Sequence, residues 1–282
     1  MIRLIAFDLD GTALNDEKKM TEVTRKSLVA AAKRGITLLP ATGRHFEGVP
    51  EVVRELPGAP YILTTNGGGI YRTENGQCEY GVSMSLPEFL DMMKQLEALD
   101  VMADAFVDGK AYMNRNKRHM IEQMDINDAV KEYLYQSRHL VDDQIEFLRQ
   151  GQHNIEKLTI NFINLPNGER KHYEEAWDIV RQYPCFHAVS GGMKNIEVTA
   201  QGISKASGLD YIGKKLGIRP EEMMAFGDSG NDEQMLQYVG FGVAMANGEA
   251  MVKEAADYIT DSNNADGIAS CLQKMKERIQ NG

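Results

Sequence analysis

The amino-terminal stretch places two carboxylates directly after a buried strand. Residues Ile2–Phe7 are mostly apolar, as in a parallel strand buried on both faces, and the run ends at Asp8 and Asp10. Because side chains alternate along an extended chain, Asp8 and Asp10 face the same side and Leu9 faces away. Open α/β sheets bind ligands at this end of their strands. Two adjacent carboxylates repel each other, which predicts a cation such as Mg²⁺ beside them; the alternative is a strand that ends in an Asp-Gly turn with solvated acids.

Alternating strands and helices follow this first strand. In the first third we predict a helix, a strand, a helix and a strand, at Thr21–Arg34, Ile36–Leu39, Glu47–Leu56 and Tyr61–Thr64. The same rhythm returns after Ser204, with helices at Lys205–Leu216, Glu233–Tyr238, Glu249–Ala256 and Ala265–Ile279 and strands at Met223–Phe226, Phe241–Ala244 and Tyr258–Thr260. This order is typical of a parallel sheet with right-handed crossovers. We therefore predict an α/β fold with a Rossmann-like, doubly wound parallel sheet.

The middle of the chain has a different pattern, and 282 residues exceed what one small core needs. A hairpin is expected through Tyr71 and Cys78 to Val82. A helix opened by a Ser85–Glu88 capping box then follows. Beyond it we predict two strands within Val101–Asn114. Further helices are expected at Lys117–Gln136, Asp142–Arg149 and Glu169–Gln182, and further strands at Glu156–Ile163, Cys185–Ser190 and Lys194–Thr199, the last two paired around Gly191-Gly192. The sequence therefore predicts a catalytic core of residues 1–82 plus 200–282 and an inserted α+β domain of residues 83–199.

Composition restricts the partners. The chain has a formal charge of −10 and a pI near 5.2, so it has no basic excess to meet nucleic acid or an anionic membrane, and we predict neither as a partner. No apolar run approaches membrane-spanning length, and the amino terminus runs directly into a strand without a signal peptide. Three widely separated cysteines indicate neither a disulfide framework nor a metal site. We expect a cytoplasmic protein.

Three further segments carry polar side chains after strands or at helix starts. Gly227-Asp228-Ser-Gly-Asn231-Asp232 repeats the acidic turn of the amino terminus, and Asp228 is placed to complete a cation site with Asp8 and Asp10; the alternative is an Asp-rich helix cap. Thr42-Gly43-Arg44 offers a hydroxyl and amides suited to a phosphate, or forms a simple turn. Lys205 is the first residue of a predicted helix, where a cation is unfavourable unless it pairs with an anion such as a phosphate. The alternative is a solvated lysine.

Together these segments resemble the motifs of the haloacid dehalogenase superfamily, in the family's order. Asp8-Leu-Asp10-Gly-Thr12 matches the first motif, Thr42 the second, Lys205 the third and Gly227–Asp232 the fourth. The insertion between the second and third motifs resembles the type II (IIB-like) cap of Cof-type sugar-phosphate phosphatases. Asn66-Gly67 and Val243–Asn247 also look like that branch.

The resemblance implies specific roles. Asp8 is expected to attack phosphorus and form an aspartyl phosphate, and Asp10 to act as general acid and base. Mg²⁺ is expected on Asp8, Asp228 and the main-chain carbonyl of Asp10, with Asp232 supporting the metal indirectly. The implied phosphate-binding residues are Leu9, Thr42, Gly43, Lys205 and Asn231.

The resemblance favours a Mg²⁺-dependent phosphatase of small phosphorylated metabolites, sugar phosphates first among them. A phosphomutase on the same scaffold is the nearest alternative. A non-catalytic regulator that binds phosphorylated metabolites is the alternative from a different class. A dehalogenase proper is disfavoured because it would not need an acid at Asp10, and a receiver domain because it is far shorter.

Overall fold

The computed structural model describes residues 1–191 and 195–275. The chain divides into two compact units. The first comprises Met1–Arg44, Val49–Glu79 and the chain from Ser204 onward. The second comprises His45–Gly48 and Tyr80–Ile203.

The regular elements fall close to the positions that the sequence patterns indicate. The strands are β1 (Leu4–Phe7), β2 (Thr37–Pro40), β3 (Tyr61–Thr64), β4 (Gly69–Arg72), β5 (Cys78–Gly81), β6 (Met102–Val107), β7 (Lys110–Asn114), β8 (Arg138–Val141), β9 (Ile155–Asn161), β10 (Phe186–Ser190), β11 (Ile196–Ala200), β12 (Met223–Gly227), β13 (Phe241–Ala244) and β14 (Tyr258–Ile259). The helices are α1 (Glu22–Ala32), α2 (Glu51–Arg54), α3 (Leu86–Glu97), α4 (Asp128–Ser137), α5 (Gln144–Arg149), α6 (Tyr173–Val180), α7 (Lys205–Leu216), α8 (Glu233–Tyr238), α9 (Ala250–Ala255) and α10 (Gly267–Lys274).

The first unit is built on a five-stranded sheet of order β14-β13-β12-β1-β2. All of its paired strands are parallel, and β1 is fully buried along its length. From β1 the chain steps to β2 on one side and, later, through β12, β13 and β14 on the other. Helix α1 packs against α10, whereas α8 packs against both α7 and α9. The structure therefore confirms the α/β fold class, with a parallel sheet whose strand order reverses at β1.

The second unit contains a six-stranded sheet of order β10-β11-β9-β6-β7-β8. Its pairs are antiparallel except for β7 with β8. Side chains from α3, α5 and α6 pack with one face of this sheet in a continuous apolar core that includes Phe89, Leu148, Leu158 and Val180. A second cluster, with Met102 and Met120, joins the sheet to α4.

Several elements differ from the sequence predictions. The helix expected over Glu47–Leu56 is a 3-10 turn at Phe46–Gly48 and a short α2, because Pro50 lacks an N–H and disfavours helix before it. The helix expected over Lys117–Gln136 is a 3-10 segment at Arg115–Gln123 followed by α4.

Strand β8 was not predicted, because its four residues carry only a short signal. Ser85 is the N-cap of α3, but its hydroxyl bonds to the Glu88 carboxylate and caps no backbone N–H, so the predicted capping box is incomplete.

Part of three predicted elements lies outside the described residues: Gly192 of the Gly191-Gly192 turn, Lys194 at the start of its strand, and the end of the helix expected to reach Ile279. Within the described ranges, none of the helices combines the length and apolar character that a membrane crossing requires.

Candidate active site

The predicted acids lie at the edge of the parallel sheet where its strand order reverses. Asp8 follows β1 and Asp228 follows β12, and the register pairs Phe7 with Phe226. The main-chain N–H of Asp8 donates to the carbonyl of Phe226 at 3.0 Å, which extends the ladder into the acidic turn. Ligands of open α/β sheets bind at this point. The fold therefore brings together two acids that are 220 positions apart (228 − 8) in the chain.

Lys205, Asp8 and Asp232 form what we call the buried ion cluster. The Nζ atom of Lys205 lies 2.5 Å from Oδ1 of Asp8 and 2.6 Å from Oδ1 of Asp232. The side chains of Lys205 and Asp232 are 0% exposed, and that of Asp8 is 6% exposed. Burial alone would lower the pKa of Lys205, but the carboxylates of Asp232 and Asp8 raise it above its usual value. Lys205 is therefore charged and pairs with two buried carboxylates. This excludes the alternative that it is a solvated lysine.

Both carboxylate oxygens of Asp232 already have partners. Its Oδ1 accepts from Lys205, and its Oδ2 accepts from the main-chain N–H groups of Asp228 at 2.9 Å and Ser229 at 3.1 Å. This close packing needs a glycine at position 227, since a Cβ there would lie 2.4 Å from Cβ of Asp232. Asp232 consequently positions the Asp228 turn and the lysine, and it offers little to a metal directly.

The acidic side chains fit a divalent cation. Asp8, Asp228 and Asp232 each have a carboxylate oxygen within 4.8 Å of the others. Burial, with mutual repulsion among these carboxylates, raises the pKa of Asp8 to about 7 and that of Asp228 to about 8. A hard cation would relieve this repulsion, and carboxylate oxygens are the ligands that Mg²⁺ prefers.

The turn after β1 presses against Asp228. Oγ1 of Thr12 donates to Oδ1 of Asp228 at 2.6 Å. Gly11 has a φ of +82°, and a Cβ at that position would lie 2.4 Å from Oδ2 of Asp228. Only glycine combines this conformation with that approach. Asn247 holds the same turn through a 2.8 Å bond from its Nδ2 to the Gly11 carbonyl.

Asp10 pairs with two cations that are not part of the buried ion cluster. Arg44 donates to both of its carboxylate oxygens, from Nε at 2.7 Å and from Nη2 at 2.8 Å, and Nζ of Lys18 lies 2.8 Å from Oδ1. The Asp10 side chain is 37% exposed. Packing around it would raise the pKa of the carboxyl, but Arg44 and Lys18 hold that pKa well below its usual range. Asp10 is therefore ionised in this arrangement.

The predicted phosphate-binding residues lie on turns near the same edge. Thr42 follows β2 and is buried, and its Oγ1 accepts the N–H of Arg44 at 3.1 Å in a local turn that leaves the hydroxyl proton to donate. Asn231 donates from Nδ2 to Oδ1 of Asn66 at 3.1 Å. Asn66 has a left-handed backbone and donates its N–H to the Thr42 carbonyl, so it links the second and fourth motifs. The Leu9 side chain is fully buried, which leaves its main chain for any phosphate contact.

Sequence reasoning missed three contributors to this site. Arg44 and Lys18 were not assigned to Asp10, and Asn66 was not assigned to Asn231, because each pair joins different elements. The available signals were the arginine that directly follows Thr42-Gly43 and the Asn-Gly dipeptide after β3.

An open α/β sheet with buried acids and a lysine at the reversal of strand order is the arrangement of the haloacid dehalogenase-like hydrolases. The model of that family matches residues 5–272, and the chain belongs to it. A relative in Bacillus subtilis (strain 168), 5-amino-6-(5-phospho-D-ribitylamino)uracil phosphatase YcsE, is 30% identical over 96% of this chain and 95% of its own. Phosphatase YwpJ of the same organism is 26% identical over 97% of this chain and 100% of its own.

Solved structures agree with this assignment. The subclass IIB sugar phosphatase BT4131 is 26% identical, with a TM-score of 0.78 over 98% of each chain. A haloacid dehalogenase-like hydrolase from B. subtilis has a TM-score of 0.84 over 96% of this chain and 99% of its own, at 24% identity, and supports the fold alone. Family and relatives confirm the prediction that this chain is an enzyme, a phosphatase of the haloacid dehalogenase superfamily.

Proposed function

We propose that the chain is a Mg²⁺-dependent phosphatase that hydrolyses small phosphorylated metabolites through an aspartyl phosphate on Asp8. The observation that supports this most directly is the contact of Asp8 with Lys205 at 2.5 Å, beside Asp228, at the reversal point of the sheet. The charge of Lys205 favours the ionised form of Asp8, and its remaining donors are available to phosphate oxygens. Asp8 is then the nucleophile that splits a slow hydrolysis into two easier steps.

The metal belongs to this proposal because the carboxylates fit it. The side chains of Asp8 and Asp228 and the main-chain carbonyl of Asp10 would hold the ion, with Asp232 fixing the turn that carries Asp228. Bound Mg²⁺ would supply charge neutralisation between carboxylates and phosphate. Thr42, Gly43, Asn231 and the main chain of Leu9 would bind the non-bridging phosphate oxygens.

Asp10 is proposed as the general acid and base. It must be protonated to donate to the leaving oxygen, yet Arg44 and Lys18 hold it ionised here. A bound phosphate brings negative charge that raises the pKa of a neighbouring carboxyl and draws the two cations toward itself. We infer that substrate binding loosens the Arg44 pair and so makes Asp10 competent as an acid; in the second step the ionised form, which Arg44 favours, accepts a proton from water.

The substrate class and the role of the second unit also remain proposals. The relatives named as a phosphatase of a phosphoribitylamino compound and as a sugar phosphatase support phosphorylated sugars or polyols as substrates. We propose that the first unit is the catalytic core and the second is a cap that selects the leaving group. A cytoplasmic location stays a prediction.

The test uses the full-length chain with a panel of phosphorylated metabolites, with Mg²⁺ or with EDTA. Wild type should release inorganic phosphate only with Mg²⁺, and brief mixing with ³²P-labelled substrate followed by acid should leave label on the protein. Asp8→Asn keeps the shape of the side chain but loses its nucleophilic charge, so phosphate release and protein labelling should both disappear. Normal release by this variant, with deamidation excluded by mass spectrometry, would contradict the covalent mechanism. Transfer of label to a second hydroxyl without release would indicate a mutase.

A further inference from the structure

The segment between β1 and α1, residues 11–20, carries two side chains that bond to the acids of the site. Oγ1 of Thr12 donates to Oδ1 of Asp228 at 2.6 Å, and Nζ of Lys18 lies 2.8 Å from Oδ1 of Asp10. The segment consists of turns. Lys18 has a φ of +61°, which a residue other than glycine keeps only where its surroundings fix it. The positions of Thr12 and Lys18 therefore depend on what holds the segment.

A carboxamide from a distant part of the chain holds this segment. Asn263 lies between β14 and α10 and is 5% exposed. Its Nδ2 donates to the carbonyl of Leu14 and to Oδ1 of Asp16, each at 3.1 Å. Its main-chain N–H donates at 2.9 Å to Oδ1 of Asn247, whose Nδ2 donates to the Gly11 carbonyl. The start and the middle of the segment are therefore tied to one buried side chain.

Asn264 adds a second pair of bonds to Asp16. Its Oδ1 accepts the main-chain N–H of Asp16 at 3.1 Å, and its Nδ2 donates to Oδ2 of Asp16 at 2.8 Å. The bonds from Asn264 and Asn263 lower the pKa of the Asp16 carboxyl, so the acceptor is a carboxylate. Hydrogen bonds to a charged acceptor are stronger than neutral ones. We call Asp16, Asn247, Asn263 and Asn264 the amide clasp.

We propose that Asn263 is a positioning residue, which through the amide clasp fixes residues 11–20 and the contacts that Thr12 and Lys18 make with the acids. The two groups that accept its amide bonds are each two residues from one of those side chains. This inference rests on the proposed phosphatase function and deepens it by naming a residue that acts through others. Supporting contacts of this kind keep reactive groups in a productive geometry.

Loss of the amide clasp should change turnover more than substrate binding. Lys18 bonds to Asp10, the proposed acid and base, and Thr12 bonds to Asp228, a proposed metal ligand. The side chains proposed to bind phosphate lie on other segments. A looser segment should therefore lower kcat and raise the Mg²⁺ concentration for half-maximal activity, with little change in the KM of the phosphorylated substrate.

Asn263→Asp tests this prediction because it keeps the shape of the side chain and removes the amide donor. It places a second carboxylate against Asp16, where the amide now lies at 3.1 Å. With the full chain and a phosphorylated metabolite that wild type hydrolyses, kcat should fall about 10-fold and the Mg²⁺ requirement should rise, as for other residues that support a metal site. The Asn263→Asp/Asp16→Asn double variant exchanges donor and acceptor, so it should recover part of the loss.

Hydrogen exchange, followed by mass spectrometry, shows whether the segment itself has loosened. Amides of residues 11–20 should exchange faster in Asn263→Asp than in wild type, and more slowly again in the double variant. Gln144→Glu is the matched control: Gln144 is 1% exposed, and its Nε2 donates to the Ala103 carbonyl at 2.8 Å. This change from amide to acid in the second unit should lower Tm without altering exchange in residues 11–20 or the Mg²⁺ requirement.

Three results would overturn the inference. They are an unchanged kcat in Asn263→Asp, a loss of kcat without faster exchange in residues 11–20, and no recovery in the double variant. If Asn263→Asp does not fold, Asn247→Ala takes its place, because Asn247 is exposed and its change removes the bond to the Gly11 carbonyl. It should then give the faster exchange and a smaller loss of kcat, and neither effect would contradict the inference if absent in one measurement alone only when the other is absent too.

Failure of the proposed function looks different, since wild type would then release no phosphate from any substrate. In that case calorimetric titration with Mg²⁺ decides. Weaker Mg²⁺ binding by Asn263→Asp than by wild type, with faster exchange in residues 11–20, would sustain the amide clasp as a positioning device. Equal binding, or no binding by either protein, would refute it.

Discussion

Replacing Lys205 with methionine measures what the buried ion cluster contributes to the fold, because it removes the charge and keeps most of the side-chain volume. Lys205 is 0% exposed, and its Nζ donates to Asp8 at 2.5 Å and to Asp232 at 2.6 Å. Among the side-chain hydrogen bonds of the described residues, no other group joins these two carboxylates. Without it, two buried carboxylates face each other. Removing one partner of a buried ion pair typically costs about 3–5 kcal/mol. We expect a loss in this range at pH 7.5 without Mg²⁺.

The same helix supplies a matched control. Lys214 on α7 also pairs with an aspartate, Asp210, at 2.7 Å, but its side chain is 77% exposed. Exposed pairs of this kind contribute less than about 1 kcal/mol, so Lys214→Met should change stability by no more than that. Both variants replace a lysine by methionine on one helix, and they differ mainly in burial.

The assay is urea unfolding followed by far-UV circular dichroism and by fluorescence. The single tryptophan, Trp177, lies on α6 in the second unit, so its fluorescence reports on that unit, whereas circular dichroism reports on both. The Lys205→Met loss should appear mainly in the circular dichroism transition. A loss below about 1 kcal/mol, or one equal to that of Lys214→Met, would refute the reasoning that Lys205 offsets desolvated carboxylates.

The pH dependence of Lys205→Met gives a second check. Burial raises the pKa of Asp8 from 3.8 to about 7 even with Lys205 present, and removing the lysine raises it further. The folded state then binds a proton that the unfolded state releases, so the stability of the variant should fall as pH rises from about 4 through 7. The Lys205→Met/Asp232→Asn double variant, with one carboxylate fewer, should recover part of the loss.

Asp10→Asn should lose most activity on alkyl phosphates and less on activated aryl phosphates, since only poor leaving groups need a proton. Equal losses on the two substrate classes in steady-state assays would show that Asp10 has only a structural role. Asp228→Ala should raise the Mg²⁺ concentration for half-maximal activity, with excess metal restoring part of the rate. No Mg²⁺ concentration should restore the activity of Lys205→Met. If paired Mg²⁺ titrations restore Lys205→Met but not Asp228→Ala, the assignment of metal binding to Asp228 and phosphate binding to Lys205 is wrong. Burial and neighbouring carboxylates raise the pKa of Asp228 to about 8, so metal-free wild type should lose stability as pH rises toward 8, and Mg²⁺ should raise Tm more at pH 8 than at pH 6. A Mg²⁺ effect on Tm that does not grow with pH in calorimetry would show that these carboxylates are not the ligands.

Local patterns were enough to place most of the site. Apolar runs that end in acids locate β1 and β12, and parallel strands necessarily carry their carboxyl ends to one edge, so Asp8 and Asp228 could be predicted to meet. The helix predicted at Lys205–Leu216 likewise has the bounds of α7. Where the pattern was short or interrupted, as at Pro50 and β8, prediction failed because tertiary packing decides the conformation of so few residues.

The sequence by itself determined the α/β fold and the family motifs, because strand and helix periods and turn residues act over a few positions. Only the tertiary structure decided the partners. Asp10 pairs with Arg44, which is 34 residues away in the chain, and Asp8 pairs with Lys205, which is 197 residues away. Such contacts depend on strand register and on which side chains bury one another, and local sequence periodicity predicts neither of these.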